Sequence, residues 1–283
     1  MKKGLVLEGG AMRGMFTAGI LDVFMEHDID FDGAVGVSAG AVFGCNYKSK
    51  QIGRSIRYNK KYCTDDRYVS LKSWITTGDL YGAEFSYHTL PKELDVFDTD
   101  AFAKSPMEFY VVCTDMLTGR AVYHKCTDGG ENDIQWMRAS ASLPFAARPV
   151  ELAGRVLSDG GTADSIPVKF MEYKGYDKLV VILTQPKGYV KHQSRMMPVM
   201  KKVLGKYPNF IGTMSRRYMR YNKILAYIEQ QEKLGRLFVI RPDTGLAIGK
   251  VCRNPDELER VYQIGREKAY AELERIKEYL CVS

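Results

Sequence analysis

The 283-residue sequence has no long apolar run and only four histidines. Its apolar stretches fall well short of the roughly 18 consecutive residues that a membrane-spanning helix needs. The apolar stretch after Lys2 and Lys3 is also too short for the core of a signal peptide. We therefore expect a soluble, cytoplasmic protein. With 45% hydrophobic residues, the chain can bury a full core and form one elaborated domain.

Cysteines in pairs are missing too. None of the six cysteines forms a Cys-x-x-Cys motif, and none has a histidine at metal-ligand spacing. Scattered cysteines of this kind are typical of free thiols and small buried side chains in a reducing compartment. The sequence therefore predicts no metal site, and we expect no cofactor.

Acidic residues are absent between Lys178 and Ile228, where ten lysines and arginines are interleaved with methionines and aromatic residues over residues 187–223. Such a surface suits contact with anionic lipid headgroups, which would place the protein peripherally at the inner membrane face. The other interpretation is a solvated pair of helices whose methionines pack inward. The net charge of +7 is mild for this length, and no nucleic-acid motif accompanies it, so no nucleic-acid partner is expected.

The motif Gly36-Val37-Ser38-Ala39-Gly40 follows an apolar run that predicts a strand over residues 31–37. A serine on a sharp strand-to-helix turn needs neighbours without side chains two positions before and after it, and Gly36 and Gly40 meet that need. The following helix would favour negative charge developing at the turn. The motif predicts a nucleophile elbow; the alternative is a glycine-rich turn packed under a helix.

A second glycine-rich loop, Gly9 to Gly14, lies between a predicted strand over residues 4–7 and a predicted helix. Backbone N–H groups in such a loop can hold an anion, either a phosphate or the oxyanion of an acyl-transfer intermediate. The loop lacks the Lys-Ser/Thr pair of a P-loop, and Ala11 stands where a dinucleotide fingerprint needs glycine. The oxyanion interpretation is favoured because Ser38 follows on the next strand.

Ser38 also needs a base, and the order Ser38, Asp159, His192 matches that of an α/β-hydrolase triad. That fold is disfavoured because only one strand precedes Ser38 and no strand leads to His192. Asp159 is the candidate carboxylate base, because Gly160 and Gly161 let the backbone turn tightly towards the elbow. A second Asp-Gly-Gly, at residues 128–130, lies in a polar run and predicts an ordinary turn.

Further apolar runs predict strands over residues 108–114, 121–124, 156–157, 179–183 and 237–242, the last at or near a sheet edge. Helical segments between them, and a long helix from Asn254 to Leu280, indicate an α/β three-layer sandwich with a mainly parallel central sheet. Residues 50–107 predict irregular covering structure with short helices. Aromatic residues there favour plain packing, with the wall of an acyl pocket as the alternative.

Four segments together resemble the patatin-like phospholipases, especially their small bacterial members. They are the loop over residues 9–14, the motif over residues 36–40, Ala139-Ser140-Ala141-Ser142-Leu143-Pro144, and Asp159-Gly160-Gly161. The resemblance implies a Ser–Asp dyad hydrolase with Ser38 as nucleophile and Asp159 as general base. It also implies an oxyanion hole formed by Gly9, Gly10, Ala11, Met12, Arg13 and Gly14.

The sequence departs from the family pattern at Ala11, where many members carry glycine. If the loop needs a positive φ there, Ala11 costs about 1 kcal/mol and could reshape the oxyanion hole. Arg13 matches the family's basic residue; it either adds positive potential near the hole or is simply a structural or solvated arginine.

These features predict a single patatin-like phospholipase domain over residues 1–283, with a catalytic core over 1–185. Residues 186–283 would then form a basic helical region, a last strand and a C-terminal helix that pack on the core. The predicted function is a serine acyl-ester hydrolase that acts on lipids, as a phospholipase A, lysophospholipase or nonspecific lipid acyl hydrolase. The alternatives are a catalytically weak lipid- or acyl-binding protein and a nucleotide-binding module. The sequence does not indicate an oligomeric state.

Overall fold

The computed structural model describes residues 1–281, and its centre is one eight-stranded sheet. The strands are β1 (Lys3–Leu7), β2 (Gly33–Val37), β3 (Glu108–Asp115), β4 (Ala121–Cys126), β5 (Val150–Leu152), β6 (Arg155–Asp159), β7 (Lys178–Ile182) and β8 (Leu237–Ile240). The path of paired strands is β5-β6-β3-β2-β1-β7-β8, and β4 also pairs with β3.

The five strands β3, β2, β1, β7 and β8 form a parallel core. Antiparallel strands are added at one side: β4 and β6 both pair with β3, and β5 pairs with β6. The α/β fold is confirmed, and the sheet is mixed because of these three strands. β8 pairs with β7 alone, which places it at the sheet edge as predicted. The short strand β5 was missed because three residues carry no recognisable alternation.

Helices cover both faces of the sheet. They are α1 (Gly14–Glu26), α2 (Ala39–Lys48), α3 (Arg54–Tyr62), α4 (Leu71–Thr77), α5 (Thr99–Lys104), α6 (Glu131–Ala141), α7 (Val168–Tyr173), α8 (Met197–Val203), α9 (Pro208–Ser215), α10 (Arg217–Lys233) and α11 (Pro255–Cys281). Side chains alternate between the faces of a strand. Accordingly, Leu5 and Leu7 pack with α1, α2 and α11, whereas Val6 packs with α7 and α10. The result is a three-layer sandwich.

The C-terminal part of the chain is built into the same sheet and layers as the rest. β8 extends the parallel core, and α11 packs along α1. The Tyr262 hydroxyl on α11 donates a 2.7 Å hydrogen bond to Asp22 on α1, and Arg266 forms an ion pair with Glu26. α11 ends at Cys281, one residue beyond the predicted end.

Residues 50–107 contain the short helices that the sequence predicts. Besides α3, α4 and α5, a π-helical segment runs over Phe85–Leu94 and contains Pro91. A proline inside a helix removes a backbone donor, and Gly, Thr and Asp residues interrupt the apolar pattern, so periodicity could not give the bounds of these helices. Within residues 1–281, no helix combines the length and apolar character needed to cross a lipid bilayer.

Candidate active site

Ser38 occupies the strained turn between β2 and α2. Its backbone angles are φ 54° and ψ −120°, a left-handed conformation that costs a residue with a side chain free energy. Buried hydrogen bonds hold this turn: the Ser38 amide donates to Ser140 Oγ at 2.9 Å, and the Ser140 hydroxyl donates to the Val112 carbonyl at 2.6 Å. Ser140 on α6 therefore ties the elbow to β3.

The two glycines of the elbow motif sit where a side chain has no room. A Cβ atom on Gly36 would lie 2.5 Å from the Gly40 carbonyl oxygen. A Cβ atom on Gly40 would lie 2.5 Å from the Leu7 carbonyl oxygen on β1. Because both neighbours are backbone atoms, they cannot rotate aside. The requirement for glycine inferred from the motif thus has a steric basis on both sides of Ser38.

Replacing Gly40 by alanine should therefore destabilise the protein by about 1–3 kcal/mol, the usual cost of overpacking a buried site. Gly212→Ala is the matched control, because a Cβ atom in that helical position meets only the Arg216 side chain at 3.6 Å. The control should be neutral or stabilising, since alanine is the better helix former. Urea unfolding of both variants measures the difference, and equal midpoints would contradict the steric explanation.

Strand register brings Asp159 to Ser38. Cys113 and Thr114 of β3 each pair with both β4 and β6, so these two strands lie on opposite edges of β3. β2 pairs with Phe109–Val112 of β3, and β4 pairs with the same residues, so β2 and β4 also lie on opposite edges. β2 and β6 therefore share one edge of β3. Along that edge Val37 pairs with Val112, and Asp159 pairs with the next residue, Cys113. The end of β2 and the end of β6 meet there, which places the serine after one strand beside the aspartate of the other.

The Asp159 side chain is almost fully buried. Its Oδ1 atom accepts a 2.8 Å hydrogen bond from the Gly161 amide, whereas Oδ2 is buried and has no hydrogen-bond partner among the described residues. Burial raises the pKa of Asp159 above its ordinary value. The positive charge of Arg217 opposes that rise, and so does the nearby Ser38 hydroxyl. The carboxylate therefore has a raised proton affinity and one free oxygen near the serine.

The glycine-rich loop lies against the elbow, since a Cβ atom on Gly9 would come within 3.0 Å of the Ser38 Cβ. Its second half forms a short 3₁₀ helix over Ala11–Arg13, and Ala11 has φ 50°, the positive angle that makes alanine costly there. Within residues 1–281, the amides from Gly9 to Met12 donate to no acceptor, whereas the Arg13 amide donates to the Gly10 carbonyl. Gly10 and Met12 are buried residues, and backbone amides without a partner are rare at such positions.

Ser38, Asp159 and Ala11 line one cavity of about 280 Å³. Most of its wall is apolar, and much of it comes from the aromatic segment 50–107: Tyr58, Tyr68, Tyr81, Tyr87, Leu90 and Phe97 line it. Phe85 instead packs against Tyr62 and Tyr68, and Trp74 is 43% exposed. The segment thus combines both roles considered from the sequence, pocket wall and plain packing, and the wall role was underestimated.

Histidine takes no part in this cavity. None of the four histidines, all within the part of the chain that the structure describes, is among the lining residues. His192 is exposed in the loop between β7 and α8. His124 stacks on Trp136 and contacts Asp133 at 2.9 Å. The α/β-hydrolase order of residues therefore has no counterpart in the geometry.

The second Asp-Gly-Gly motif is an ordinary turn. Asp128 is exposed, and its Oδ1 accepts from the Gly130 amide at 2.8 Å. The buried Asp133 carboxylate accepts from the amides of residues 127–129, and it also contacts His124. Although His124, Cys126 and Asp133 cluster closely enough for a metal ion, both oxygens of Asp133 are engaged: Oδ2 holds this turn and Oδ1 contacts His124.

Three residues near the site escaped the sequence analysis. Buried Glu8, which precedes the glycine-rich loop, accepts a hydrogen bond from the Tyr221 hydroxyl on α10. Arg217, at the start of α10, lines the cavity and donates from Nε to the Gly161 carbonyl. An acid at the end of an apolar strand was a usable signal for Glu8. Nothing local marks Tyr221 or Arg217, which come from a segment more than 50 residues after Asp159.

Comparison with known proteins relates the chain to two families. The family model of the patatin-like phospholipases matches residues 5–171, and a domain family of unknown function, DUF6363, matches residues 207–281. The uncharacterized protein YjjU of Escherichia coli is 30% identical over 273 residues, which cover 93% of this chain and 74% of YjjU. Lysophospholipase NTE1 of Debaryomyces hansenii is 27% identical over 186 residues, which cover 63% of this chain and 11% of NTE1.

Among solved structures, VipD from Legionella pneumophila is similar with a TM-score of 0.46 and 13% identity, covering 97% of this chain and 67% of the VipD chain. The patatin match, by contrast, spans more than half of the 283 residues and contains the elbow, the glycine-rich loop and Asp159. The chain belongs to the patatin-like phospholipase family, whose members are lipid acyl hydrolases.

Proposed function

We propose that this protein hydrolyses acyl esters of lipids through a dyad of Ser38 and Asp159. One observation carries the proposal: a serine in a strained elbow and a buried carboxylate with a free Oδ2 atom line the same apolar cavity, which no histidine lines within residues 1–281. Buried carboxylates with raised proton affinity can act as general bases. The apolar wall suits an acyl chain.

In the first half of the reaction, Asp159 Oδ2 takes the proton of the Ser38 hydroxyl as Oγ attacks the ester carbonyl carbon. The carbonyl oxygen becomes an oxyanion, which accepts hydrogen bonds from the amides of Gly10 and Ala11. Because these amides donate to no acceptor among residues 1–281, they can bind the oxyanion without breaking a hydrogen bond within that part of the chain. The ester C–O bond then breaks, and the alcohol leaves with the proton from Asp159.

In the second half, water attacks the acyl carbonyl bound to Ser38 and gives a proton to Asp159. The tetrahedral intermediate uses the same amides. The bond to Ser38 Oγ breaks, the serine regains the proton from Asp159, and the fatty acid is released. One carboxylate thus serves as base and as acid in both halves, which requires a proton affinity intermediate between those of the hydroxyl and an ordinary exposed carboxylate.

The test of this function is release of free fatty acid from a lysophospholipid or a monoacylglycerol by the purified full-length chain. Enzymatic turnover that yields a fatty acid and the deacylated alcohol supports the proposal. The catalytically weak alternative predicts that the protein binds the same lipid without turnover, with Ala11 distorting the loop. Binding without fatty acid release would therefore refute hydrolysis in favour of a lipid-binding protein.

We further propose that α8 contacts an anionic membrane surface beside the cavity. Met200 of this helix lines the cavity, whereas Val199 and Val203 are 46% and 57% exposed. Exposed Lys201 and Lys202 lie between them. Apolar side chains flanked by lysines on one exposed helix suit insertion among anionic headgroups. This position would bring lipid substrates to the mouth of the cavity.

Replacing Val199 and Val203 together by aspartate should lower binding to vesicles rich in phosphatidylglycerol by at least about tenfold, because two apolar side chains are lost and two negative charges are gained. Leu234→Asp is the control, since Leu234 is 57% exposed at the far end of α10. Co-sedimentation measures both. Two results would rule out this contact. Vesicle binding could be independent of the anionic lipid content, or the Leu234 variant could lose as much binding as the double variant.

A further inference from the structure

We propose that Lys191, Arg217 and Lys250 form a subsite for the phosphate group of the lipid headgroup, so that this hydrolase prefers phosphate-bearing monoacyl lipids over neutral ones. The inference rests on the proposed hydrolase function and deepens it. All three residues lie outside the segment that matches the patatin family model, residues 5–171. The C-terminal part of the chain would thus supply substrate selectivity to a core that supplies the chemistry.

Arg217 fixes the position of this subsite relative to the dyad. Its Nε atom donates to the Gly161 carbonyl, and the Gly161 amide donates to Asp159 Oδ1. The rest of the guanidinium group makes no hydrogen bond or ion pair to residues 1–281, and it faces the cavity that Ser38 lines. Its two terminal nitrogens therefore remain available for oxygen atoms of a ligand, the geometry that suits phosphate.

Lys191 lies near Arg217, because it packs on Tyr221, which is one turn further along α10. Its ammonium group sits 4.5 Å from the ring centre of Tyr221, and the Tyr221 hydroxyl is bonded to Glu8, next to the glycine-rich loop. The backbone of Lys191 is anchored on the same helix, because its amide donates to Asn222 Oδ1 at 2.8 Å and its carbonyl accepts from Asn222 at 2.9 Å. The ammonium group itself has no hydrogen-bond or salt-bridge partner within residues 1–281.

Lys250 completes the set from the loop between β8 and α11, where its exposed side chain reaches the same cavity. Four cations, Lys191, Arg217, Arg13 and Lys250, lie near two acids, Glu8 and Asp159. Burial, followed by the charges of Arg217, Arg13 and Lys250, lowers the pKa of Lys191 to about 8, and the charge of Glu8 opposes this. The Nε atom of Arg13 is also buried, with no hydrogen-bond partner among residues 1–281. Cations that lie close together and repel one another are stabilised by a bound anion.

The short distance between ester and phosphate in the substrate explains why the subsite would lie close to Ser38. In a monoacylglycerol phosphate, only the glycerol backbone separates the ester from the phosphate, so an ester held at Ser38 brings the phosphate to the cavity mouth rather than into the apolar wall. The phosphate would then add binding energy at a point remote from the bond that breaks. A neutral monoacylglycerol has the same acyl chain and lacks that contact.

The experiment compares kcat/KM for a short-chain monoacylglycerol phosphate and for the monoacylglycerol with the same acyl chain, both below their micelle-forming concentrations so that no lipid surface contributes. The wild-type ratio should be at least about tenfold in favour of the phosphate ester. In the Lys191→Met and Lys250→Met double variant the ratio should fall towards one, and in Lys191→Arg it should persist. A ratio of one in the wild type, or an unchanged ratio in the double variant, would overturn the subsite.

Lys233→Met is the remote control, which removes one positive charge, since Lys233 is exposed at the opposite end of α10, about 24 Å from Arg217 along the helix axis. It should keep the wild-type ratio, and an equal loss there would show that net charge alone sets the preference. Inorganic phosphate is added as a second probe. Competition at about millimolar concentration fits a headgroup subsite, whereas micromolar binding would overturn it in favour of a site for free phosphate.

A binding experiment distinguishes failure of this inference from failure of the hydrolase proposal. Calorimetry with a non-hydrolysable ether analogue of the monoacylglycerol phosphate, against its neutral counterpart, measures headgroup recognition without turnover. Headgroup-dependent binding that the Lys191→Met and Lys250→Met variant loses supports the subsite even if no ester is cleaved, in which case only the hydrolase proposal fails. Ester hydrolysis without any headgroup preference in either assay refutes the subsite and leaves the hydrolase intact.

Discussion

Ser38→Ala should lower kcat/KM for ester hydrolysis by at least about 10³-fold, because the proposed acyl-enzyme forms on the Ser38 hydroxyl. The substitution keeps the Cβ atom and so leaves the φ of 54° equally strained. It also keeps the backbone amide that donates to Ser140. We therefore expect the thermal midpoint to change by no more than a few degrees.

Ser86→Ala is the matched control for this result. Ser86 lines the same cavity, and its hydroxyl is buried without a hydrogen-bond partner among residues 1–281. Removing an unsatisfied hydroxyl should be neutral or stabilising, and hydrolysis should fall far less than in Ser38→Ala. A fatty acid release assay on both variants decides, and comparable losses would contradict the assignment of Ser38 as nucleophile.

Asp159→Asn should lower kcat/KM by about 10³-fold, since an amide cannot accept the serine proton. The amide oxygen can still accept from the Gly161 amide, so the local fold is kept. The control is Asp128→Asn in the other Asp-Gly-Gly turn, where the same Oδ1 contact to the second glycine occurs on the surface. That variant should hydrolyse esters as the wild type does.

The same substitution has a signed effect on stability. Because burial raises the pKa of Asp159, the folded state favours the neutral acid, and ionisation of this group reduces stability as pH rises through that pKa. Asp159→Asn removes the penalty, so its melting temperature should match that of the wild type in acid and equal or exceed it at neutral pH. Thermal melts at several pH values measure this. A variant that is less stable at neutral pH than in acid, relative to the wild type, would contradict a raised pKa.

The wild-type kcat/KM should depend on the ionisation of Asp159 in the same way as stability does, but with the opposite sign. The base must be ionised to accept the serine proton, so wild-type kcat/KM should fall as pH drops through the raised pKa of Asp159. The residual activity of Asp159→Asn should lack this acid limb. An identical limb in the variant would assign it to another group.

The parts of the site that the sequence predicts are those determined by a few adjacent residues. Gly36 and Gly40 are required by backbone atoms of the same turn and of β1, and the positive φ of Ala11 follows from the shape of its own loop. Asp159 could be chosen over Asp128 because a core strand precedes it. These signals are local, so spacing along the chain reveals them.

The remaining features depend on residues distant in sequence. Arg217 reaches Gly161 only because α10 packs across the sheet face, and Tyr221 reaches Glu8 across 213 positions. Ser140 was part of a family motif, but its hydrogen bond to the Ser38 amide depends on how α6 lies under β3. Aromatic residues between 50 and 107 line the cavity from a segment without a regular period. Tertiary packing, rather than local preference, sets all of these.

Labelling with a fluorophosphonate ester, followed by peptide mapping, tests the central claim most directly, because such esters phosphonylate only an activated serine. We predict a stoichiometric label on Ser38 of the wild-type protein, no label on Ser38→Ala, and much slower labelling of Asp159→Asn. A label on any other residue, or labelling of Asp159→Asn at the wild-type rate, would contradict a nucleophile at Ser38 that Asp159 activates.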